Sequence, residues 1–361
     1  MNKRKIVVLA VIMFVFVFIG IAFACTSFRV QTKDGGIVIG RSMEWGIPEN
    51  SQVMIVPRGM RLETLKDDGT TLRSWTGKYG FVGMNAYGID IATDGLNEAG
   101  LSVGVLNFPG FAGYHKLDEA NASQAVSNLH FVNWLLSNYA TVEEVKAALK
   151  DVVVYNLLMQ NVGSMQVHWV IYDAKGGSIV VEPIDGKLKI YDNPIGVMTN
   201  SPTFDWHLTN LRNYVNLTNL NIDSLKLGPI TVEPLGQGTG LLGLPGDYTP
   251  PSRFVKTVAL VWSAVQPENA AEGVNLAFHI LNSVDIPTGA CADKIDGKLY
   301  YDRTQWATVR DLLNGVYYYR TYGDQTIRKV DTKALDLTGK TIRHIPVPTE
   351  LQSVDMTGQV K

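Results

Sequence analysis

The sequence predicts an α+β protein built from sheets and helices in layers. Short strand-like segments separated by turn residues come first, two helical segments follow near the middle of the chain, and strands then return. Strands on both sides of a helix pair are typical of sheets covered by helical layers. No internal repeat or low-complexity linker divides the 361 residues, so we expect one domain over residues 25–361.

Residues 1–24 predict a secretory signal peptide. Lys3, Arg4 and Lys5 precede an apolar run that ends in Ala22-Phe23-Ala24, the small-residue pattern of a cleavage site. Cleavage after Ala24 would make Cys25 the first residue of an exported chain, with an extracellular, cell-surface or periplasmic location. Two alternatives remain open: an uncleaved membrane anchor, and lipoprotein processing in which Cys25 is acylated.

The charge balance argues against a nucleic-acid-binding protein. The whole chain carries a formal net charge of −2, and removing the three positive charges of the leader gives about −5. After the leader, no segment is long and apolar enough to span a bilayer. We therefore expect no nucleic-acid partner, and membrane contact only through an uncleaved leader.

The first strands flank a clear turn signal. Residues 27–30 and 37–41 are strand-like and bracket Lys33-Asp34-Gly35-Gly36, which predicts a hairpin that begins beside Cys25. Further strands are predicted at residues 81–84, 88–92 and 101–106. We expect these segments to form one sheet with Cys25 on its edge.

Two helices are predicted next in the chain. Residues 124–139 place apolar side chains on one face, and Thr141-Val-Glu-Glu144 is a capping box that opens a second helix through residue 150. We expect both helices to pack on one side of the sheet. Strands are predicted again at residues 166–172, 178–183 and 187–191.

The second half predicts loops, two more helices and a strand. Residues 199–206 are loop-like and lead into a helix ending near residue 214, helices follow at 252–264 and 270–283, and residues 315–319 return to strand. Gly238-Thr-Gly240-Leu-Leu-Gly243 matches a dinucleotide-binding pattern, but Pro234 and Pro245 stand where its strand and helix are needed. We interpret residues 235–247 as a surface loop without a cofactor.

An N-terminal cysteine places a thiol and a free α-amine on one residue, which makes a nucleophile with its own base. A disulfide between Cys25 and Cys291 would consume that thiol, so we interpret Cys291 as a small buried or loop residue. The six histidines lack the spacing of a metal site, and no G-x-S-x-G motif is present. The sequence therefore predicts cysteine chemistry without a metal.

Several motifs resemble the choloylglycine hydrolases, a family that comprises conjugated bile salt hydrolases and penicillin V acylases. They occur in the expected order over essentially all of residues 25–361: Cys25-Thr-Ser, Gly40-Arg-Ser-Met, Asn97-Glu-Ala-Gly-Leu, Gly104-Val-Leu-Asn-Phe-Pro109, Met198-Thr-Asn-Ser-Pro-Thr-Phe-Asp-Trp206, and Leu235-Gly-Gln-Gly-Thr-Gly through Pro251-Ser-Arg-Phe254. The resemblance implies an N-terminal nucleophile hydrolase fold of four αββα layers, with two antiparallel sheets between helix layers. It also implies a homotetramer that needs no cofactor.

The resemblance assigns roles to six residues. The family's nucleophile corresponds to Cys25, and its two arginines and two asparagines correspond to Arg41, Arg253, Asn107 and Asn200. Where the family has an aspartate that holds the nucleophile's amine, this chain has Glu44, which is longer by one methylene. We expect Glu44 to retain that role with an altered rate or substrate range.

Simpler structural interpretations of these residues remain open. Taken singly, an arginine or asparagine near a strand end is most often a surface residue or a satisfied turn group. Four aromatic residues could line an acyl pocket or could belong to the core: Trp45, Phe108, Phe111 and Tyr114.

The expected activity is hydrolysis of a linear acyl amide, a small-molecule substrate. The segment around Asn107 resembles bile salt hydrolases, whereas some penicillin V acylases have an aromatic residue at that position, which favours glycine- or taurine-conjugated bile acids. Penicillin V and other N-acyl amides, including acyl homoserine lactones, are the alternative substrates. A secreted or tethered binding protein without activity is the alternative from another class.

Overall fold

The computed structural model describes residues 24–159 and 163–360. The predicted signal peptide, apart from Ala24, lies outside these residues. The first part of the described chain consists of nine strands: β1 (Ala24–Gln31), β2 (Ile37–Trp45), β3 (Gln52–Val56), β4 (Arg61–Leu65), β5 (Thr71–Thr76), β6 (Phe81–Ala86), β7 (Ile89–Ala92), β8 (Asp94–Asn97) and β9 (Leu101–Asn107). The sequence predicted the hairpin of β1 and β2, but it did not predict β3, β4 and β5.

The middle of the chain contains two short helices between strands. Its elements are β10 (Ala125–Ser127), α1 (Phe131–Asn138), α2 (Val142–Ala148), β11 (Val153–Tyr155), β12 (Leu158–Met159), β13 (Gly163–Ser164), β14 (Val167–Asp173), β15 (Ser178–Ile184), β16 (Lys187–Asp192) and β17 (Val197–Met198). Thr141 caps α2 as predicted, because its hydroxyl accepts the N–H of Glu144 at 3.2 Å.

The predicted start of the first helix at residue 124 was wrong. Residues 125–127 form β10, which pairs in parallel with β11. The N–H of Ser127 donates to the hydroxyl of Thr64 at 2.9 Å, and Asn128 accepts the N–H of Leu157 at 2.9 Å. These long-range hydrogen bonds hold the backbone extended, and they override the local helical pattern.

The last part of the chain adds three helices and seven strands. They are α3 (Phe204–Asn210), β18 (Leu225–Leu227), β19 (Ile230–Val232), α4 (Pro250–Ser263), α5 (Ala270–Asn282), β20 (Cys291–Ile295), β21 (Lys298–Asp311), β22 (Val316–Thr321), β23 (Arg328–Asp331) and β24 (Arg343–Pro346). The predicted helices at residues 252–264 and 270–283 are confirmed within two residues. The long strand β21 was not predicted.

Two large antiparallel sheets carry the fold. The first has seven strands, in the order β17-β1-β2-β21-β22-β23 with β20 beside β21, and the second has nine, in the order β16-β15-β14-β9-β8-β6-β3-β24 with β7 beside β6. The prediction of one N-terminal sheet was wrong, because β1 and β2 belong to the seven-stranded sheet and β6, β7 and β9 to the nine-stranded one. Strand β1 lies between β17 and β2, but its pairing with β17 covers only Ser27 and Phe28, so Cys25 lies beyond the end of that neighbour. Every residue of β2 is buried, so this strand must be covered on both faces.

The two sheets lie between two helix layers, as expected for αββα layers. A core cluster joins Phe28 of β1 and Ile39 of β2 to Met84 of β6, and includes Phe278 of α5. A second cluster packs α1 and α2 against the nine-stranded sheet, as predicted for this helix pair, and Phe131 of α1 meets Trp169 edge to face at 4.6 Å. In the part of the chain that the structure describes, no helix is long and apolar enough to span a bilayer.

Candidate active site

Cys25 lies where one neighbour of β1 ends. Strand β17 pairs with Ser27 and Phe28 of β1 and stops at Met198. Two residues further on, the Oδ1 of Asn200 accepts the N–H of Cys25 at 2.6 Å. The buried thiol has Met43 as its register partner on β2 and donates to the Sδ of that residue at 3.6 Å.

Arg253, in the first turns of α4, joins this strand end to the helix layer. Its fully buried guanidinium donates through Nη1 to the Cys25 carbonyl at 2.5 Å and to the Thr26 hydroxyl at 2.7 Å. Through Nη2 it donates to the Oδ1 of Asn200 at 2.7 Å, and through Nε to the carbonyl of Tyr248 at 2.9 Å. One guanidinium therefore fixes both Cys25 and the side chain that binds the Cys25 nitrogen.

The two predicted asparagines are in direct contact. The Nδ2 of Asn200 donates to the backbone carbonyl of Asn107 at 2.9 Å. Asn107 is the last residue of β9 in the nine-stranded sheet, and it lines the same pocket as Cys25. The pair therefore joins the two sheets beside Cys25.

Arg41 acts on the thiol through its charge. Its Nη2 donates to the carbonyl of Val105, and its Nη1 lies 3.7 Å from Asp94 Oδ2. Arg310 lies 3.3 Å from the same carboxylate oxygen, so two buried guanidinium groups share one carboxylate. Burial raises the pKa of the Cys25 thiol, and the positive charge of Arg41 opposes that rise.

Space for Arg41 depends on a glycine of the nine-stranded sheet. A Cβ atom at Gly104 would lie 3.0 Å from the Cδ and 3.2 Å from the Nε of Arg41. The guanidinium also lies over the ring of Trp306, with its Cζ 4.8 Å from the ring centroid. The Gly-Val-Leu-Asn motif thus contributes both Asn107 and the room for Arg41.

Glu44 is buried within the same cluster. Its Oε1 accepts the hydroxyl of Thr304 at 3.0 Å, and its Oε2 has no hydrogen-bond partner among the described residues. Burial raises the pKa of Glu44 to about 8, although the charge of Arg253 opposes this rise. The carboxyl group therefore has spare capacity for a hydrogen-bond donor.

Burial is also the largest influence on the pKa of the Cys25 thiol. It raises the pKa of Cys25 to about 11, and the charge of Glu44 adds to the rise, while Arg41 and Arg253 oppose it. A thiol of this kind keeps its proton at neutral pH, so it would need a base to act as a nucleophile.

A largely apolar pocket adjoins the thiol. Its lining includes Met43, Trp45, Ile91, Leu129, Val132 and Val167. Of the four aromatic residues considered from the sequence, only Trp45 belongs to this lining. Phe108 stacks on His168 at 4.4 Å, Tyr114 meets Trp169 edge to face at 6.5 Å, and Phe111 is 44% exposed.

Sequence reasoning missed most of the pocket lining, including Met43, Glu49 and Tyr87. Met43 follows Arg41 by two positions on one strand, so the period of a strand could have placed both on one face. Glu49 and Tyr87 also line the pocket, and both lie in turns that no local pattern connects to Cys25.

The structure describes both cysteines as free thiols, and Cys291 is half-buried at the start of β20. Within residues 24–159 and 163–360, no group of three or more histidine, cysteine or acidic side chains is placed to hold a metal ion. Gly238 opens a short 3₁₀ turn with φ of 87°, in the predicted surface loop.

Comparison with known proteins agrees with this architecture. Residues 25–348 match the family of linear amide C–N hydrolases, choloylglycine hydrolase family. The chain is 38% identical over 323 residues to a bile salt hydrolase/transferase of Clostridium perfringens, which covers 88% of this chain and 95% of that protein.

Solved structures show the same fold. A conjugated bile acid hydrolase variant from Clostridium perfringens superposes with a TM-score of 0.82 at 35% identity, covering 92% of this chain and 100% of that one. Penicillin V acylase from Agrobacterium tumefaciens gives 0.71 at 26% identity, covering 89% and 91%. These similarities confirm the expected N-terminal nucleophile hydrolase fold. The chain therefore belongs to the choloylglycine hydrolase family of linear amide C–N hydrolases.

Proposed function

We propose that Cys25, exposed by removal of residues 1–24, is the nucleophile of an acyl amide hydrolase. One observation carries this proposal: the Oδ1 of Asn200 is shared between the Cys25 nitrogen and the Arg253 guanidinium. The nitrogen that cleavage would free therefore lies inside a buried polar cluster. The thiol of the same residue lines the apolar pocket.

The free α-amine would serve as the base. Its ordinary pKa of about 7.7–8.0 suits proton transfer near neutral pH. Before cleavage the Cys25 nitrogen has one hydrogen, which it donates in a hydrogen bond to the Oδ1 of Asn200. An ammonium group has further hydrogens, and the unpartnered Oε2 of Glu44 fits the requirement for a second acceptor.

Acyl transfer would proceed in two steps. As the Sγ–C bond forms, the thiol proton moves to the α-amine and the carbonyl electrons move to oxygen. When the tetrahedral intermediate collapses, the C–N bond breaks and the ammonium protonates the leaving amine. Water then attacks the thioester with the amine again as base, which releases the carboxylic acid and restores the thiol.

The remaining site residues would stabilise charge and hold geometry. The side chain of Asn107 borders the pocket beside the thiol and would donate to the oxyanion, together with backbone N–H groups. Asn200 already donates one hydrogen to Asn107, so its main contribution is to align the nucleophile, with its second amide hydrogen left for the oxyanion. Arg41 and Arg253 would favour the thiolate.

The proposed substrates are glycine- or taurine-conjugated bile acids. The named bile salt hydrolase relatives and the apolar lining of the pocket, which matches a hydrophobic acyl group, support this choice. The similarity to penicillin V acylases supports penicillin V or another N-acyl amide as the second candidate. None of these reactions requires a metal or an organic cofactor.

Turnover of glycocholate, taurocholate and penicillin V by the mature protein tests the proposal. We expect the conjugated bile acids to be hydrolysed fastest, and Cys25→Ala to abolish all turnover. Cys291→Ala is the matched control, because it removes the other free cysteine and should retain activity. If the protein binds these amides but hydrolyses none of them, the proposal fails and the alternative of a binding protein without activity is supported.

Export and self-association are further proposals. The Ala22-Phe23-Ala24 pattern supports export, and the hairpin of β18 and β19 supports a homo-oligomer, with the family's tetramer as the expected form. Among residues 24–159 and 163–360, these two strands pair only with each other. Leu225, Leu227 and Ile230 are 59%, 51% and 58% exposed, an apolar surface that a second copy of the chain would cover.

A further inference from the structure

Glu49 and Tyr87 are two of the polar residues that line the apolar pocket and have no part in the proposed mechanism. Glu49 lies between β2 and β3 and is only 2% exposed. Tyr87 lies in the turn between β6 and β7. Both line the pocket that contains the thiol. The hydroxyl of Tyr87 is buried and has no hydrogen-bond partner among the described residues.

The backbone fixes these two residues to each other. The N–H of Tyr87 donates to the carbonyl of Glu49 at 2.5 Å, and the N–H of Glu49 donates to the Oε1 of Gln305 at 2.9 Å. The two turns are therefore one unit. The side chains of Glu49 and Tyr87 belong to a fixed part of the pocket wall.

Backbone strain at Tyr87 indicates that its side chain serves more than the turn. Tyr87 has φ of 57° and Gly88 has φ of 67° in a two-residue hairpin connection. Asn-Gly is the favoured pair for such a turn, and a bulky residue in the left-handed region is uncommon. Strained residues of this kind concentrate at ligand sites, where the side chain is needed in one place.

The carboxyl group of Glu49 retains hydrogen-bonding capacity. The hydroxyl of Ser51 donates to its Oε2 at 3.2 Å and accepts the Nε1–H of Trp306 at 3.1 Å. A carboxylate offers about four acceptor positions, so Ser51 and the neighbouring Trp306 do not fill them all. Burial raises the pKa of Glu49 to about 7 against the lowering charge of Arg41, so the group can also donate near neutral pH.

We propose that Glu49 and Tyr87 form a polar subsite in the pocket that selects acyl groups bearing a hydroxyl. This inference rests on the proposed function, because it assumes that the pocket holds the acyl part of the substrate. A hydroxyl donates and accepts at once, which matches a carboxyl group and a phenol that line one pocket. An acyl group without polar atoms would leave both buried groups unpaired.

The charges near the subsite favour a neutral hydroxyl over an ionic group. Arg41 acts electrostatically on Glu49, so an acyl ammonium group would meet a second positive charge nearby. An acyl carboxylate would meet the negative charge of Glu49 once that group ionises. A hydroxyl avoids both repulsions and still satisfies both partners.

A matched pair of amides tests the subsite by kinetics. Glycocholate carries hydroxyls on its steroid rings, and glycocholanate carries none. We expect the wild-type kcat/KM to favour glycocholate by about tenfold or more, the effect of one well-formed buried hydrogen bond. Glu49→Leu and Tyr87→Phe should each reduce this preference by about fivefold or more, whereas the control Tyr214→Phe, outside the pocket, should preserve it.

Binding to the Cys25→Ala variant separates the subsite from the chemistry. We expect calorimetry on this background to show the same preference for glycocholate, and its loss in Tyr87→Phe. If the wild type hydrolyses both amides without preference, or both pocket variants keep the preference, the subsite is refuted and the proposed function stands. If neither amide is hydrolysed, the proposed function fails, and equal or absent binding of the two ligands refutes the subsite as well.

Discussion

Glu49→Gln should remove a pH dependence of stability that the wild-type protein carries. Burial raises the pKa of Glu49 from its ordinary value of 4.5 to about 7. Because the folded pKa lies above the unfolded one, the stabilising effect of protonation is complete below 4.5 and is lost as the pH rises through about 7. The difference corresponds to about 3 kcal/mol of unfolding free energy once the group has ionised in both states.

Urea unfolding of the two proteins at about pH 5 and about pH 9 measures this loss. Glu44 and Asp302, whose pKa values burial raises to about 8 and about 7, titrate in the same range. Both groups are present in wild type and variant, so their effects cancel when the two pH differences are subtracted. We expect the wild type to lose about 3 kcal/mol more than Glu49→Gln between these pH values. Parallel losses in the two proteins would refute the assignment of Glu49 as a buried acid of the pocket.

Three further predictions concern the acceptor for the Cys25 α-amine, the hydrogen bonds of Arg253, and the exposed hairpin of β18 and β19. Glu44→Ala should lower kcat/KM for the hydrolysed amide by about a hundredfold, because the α-ammonium loses an acceptor, and Glu44→Asp should restore much of this activity. An alanine variant with unimpaired activity would exclude Glu44 as the group that holds the α-amine. Arg253→Lys keeps the charge but not the planar set of donors. We therefore expect the free energy of unfolding in urea to fall by about 2–4 kcal/mol, and kcat to fall as well. If both quantities keep their wild-type values, the hydrogen bonds of Arg253 contribute little. The double variant Leu227→Glu and Ile230→Glu should have the sedimentation mass of a monomer and an unchanged unfolding midpoint. An unchanged mass would mean that the contact between copies of the chain lies outside this hairpin.

Local patterns predicted the elements whose stability is itself local. The capping threonine at residue 141 and the apolar faces of α4 and α5 depend on near neighbours, and the sequence predicted these helices closely. By contrast, β10 is held extended by Thr64 and by pairing with β11, which the pattern at residues 124–139 does not contain. The separation of the N-terminal strands into two sheets also depends on long-range pairing, such as that of β2 with β21.

The candidate site illustrates the same limit. Cys25 follows the cleavage pattern and is evident from the leader alone, but its contacts with Asn200 and Arg253 span 175 and 228 residues. Family motifs could identify these positions, whereas the spacing of residues could not. Glu49 and Tyr87 lie outside those motifs, and only the paired turns of the structure bring them to the pocket.

The identity of the first residue in the active protein is the most direct test of the proposed nucleophile. N-terminal sequencing and intact mass, measured on the same sample that is assayed for amide hydrolysis, determine it. We predict that the chain begins at Cys25 with a free α-amine, and that activity rises in proportion to the fraction so processed. Full activity in a protein that retains residues before Cys25, or whose amine is acylated, would contradict the proposed mechanism.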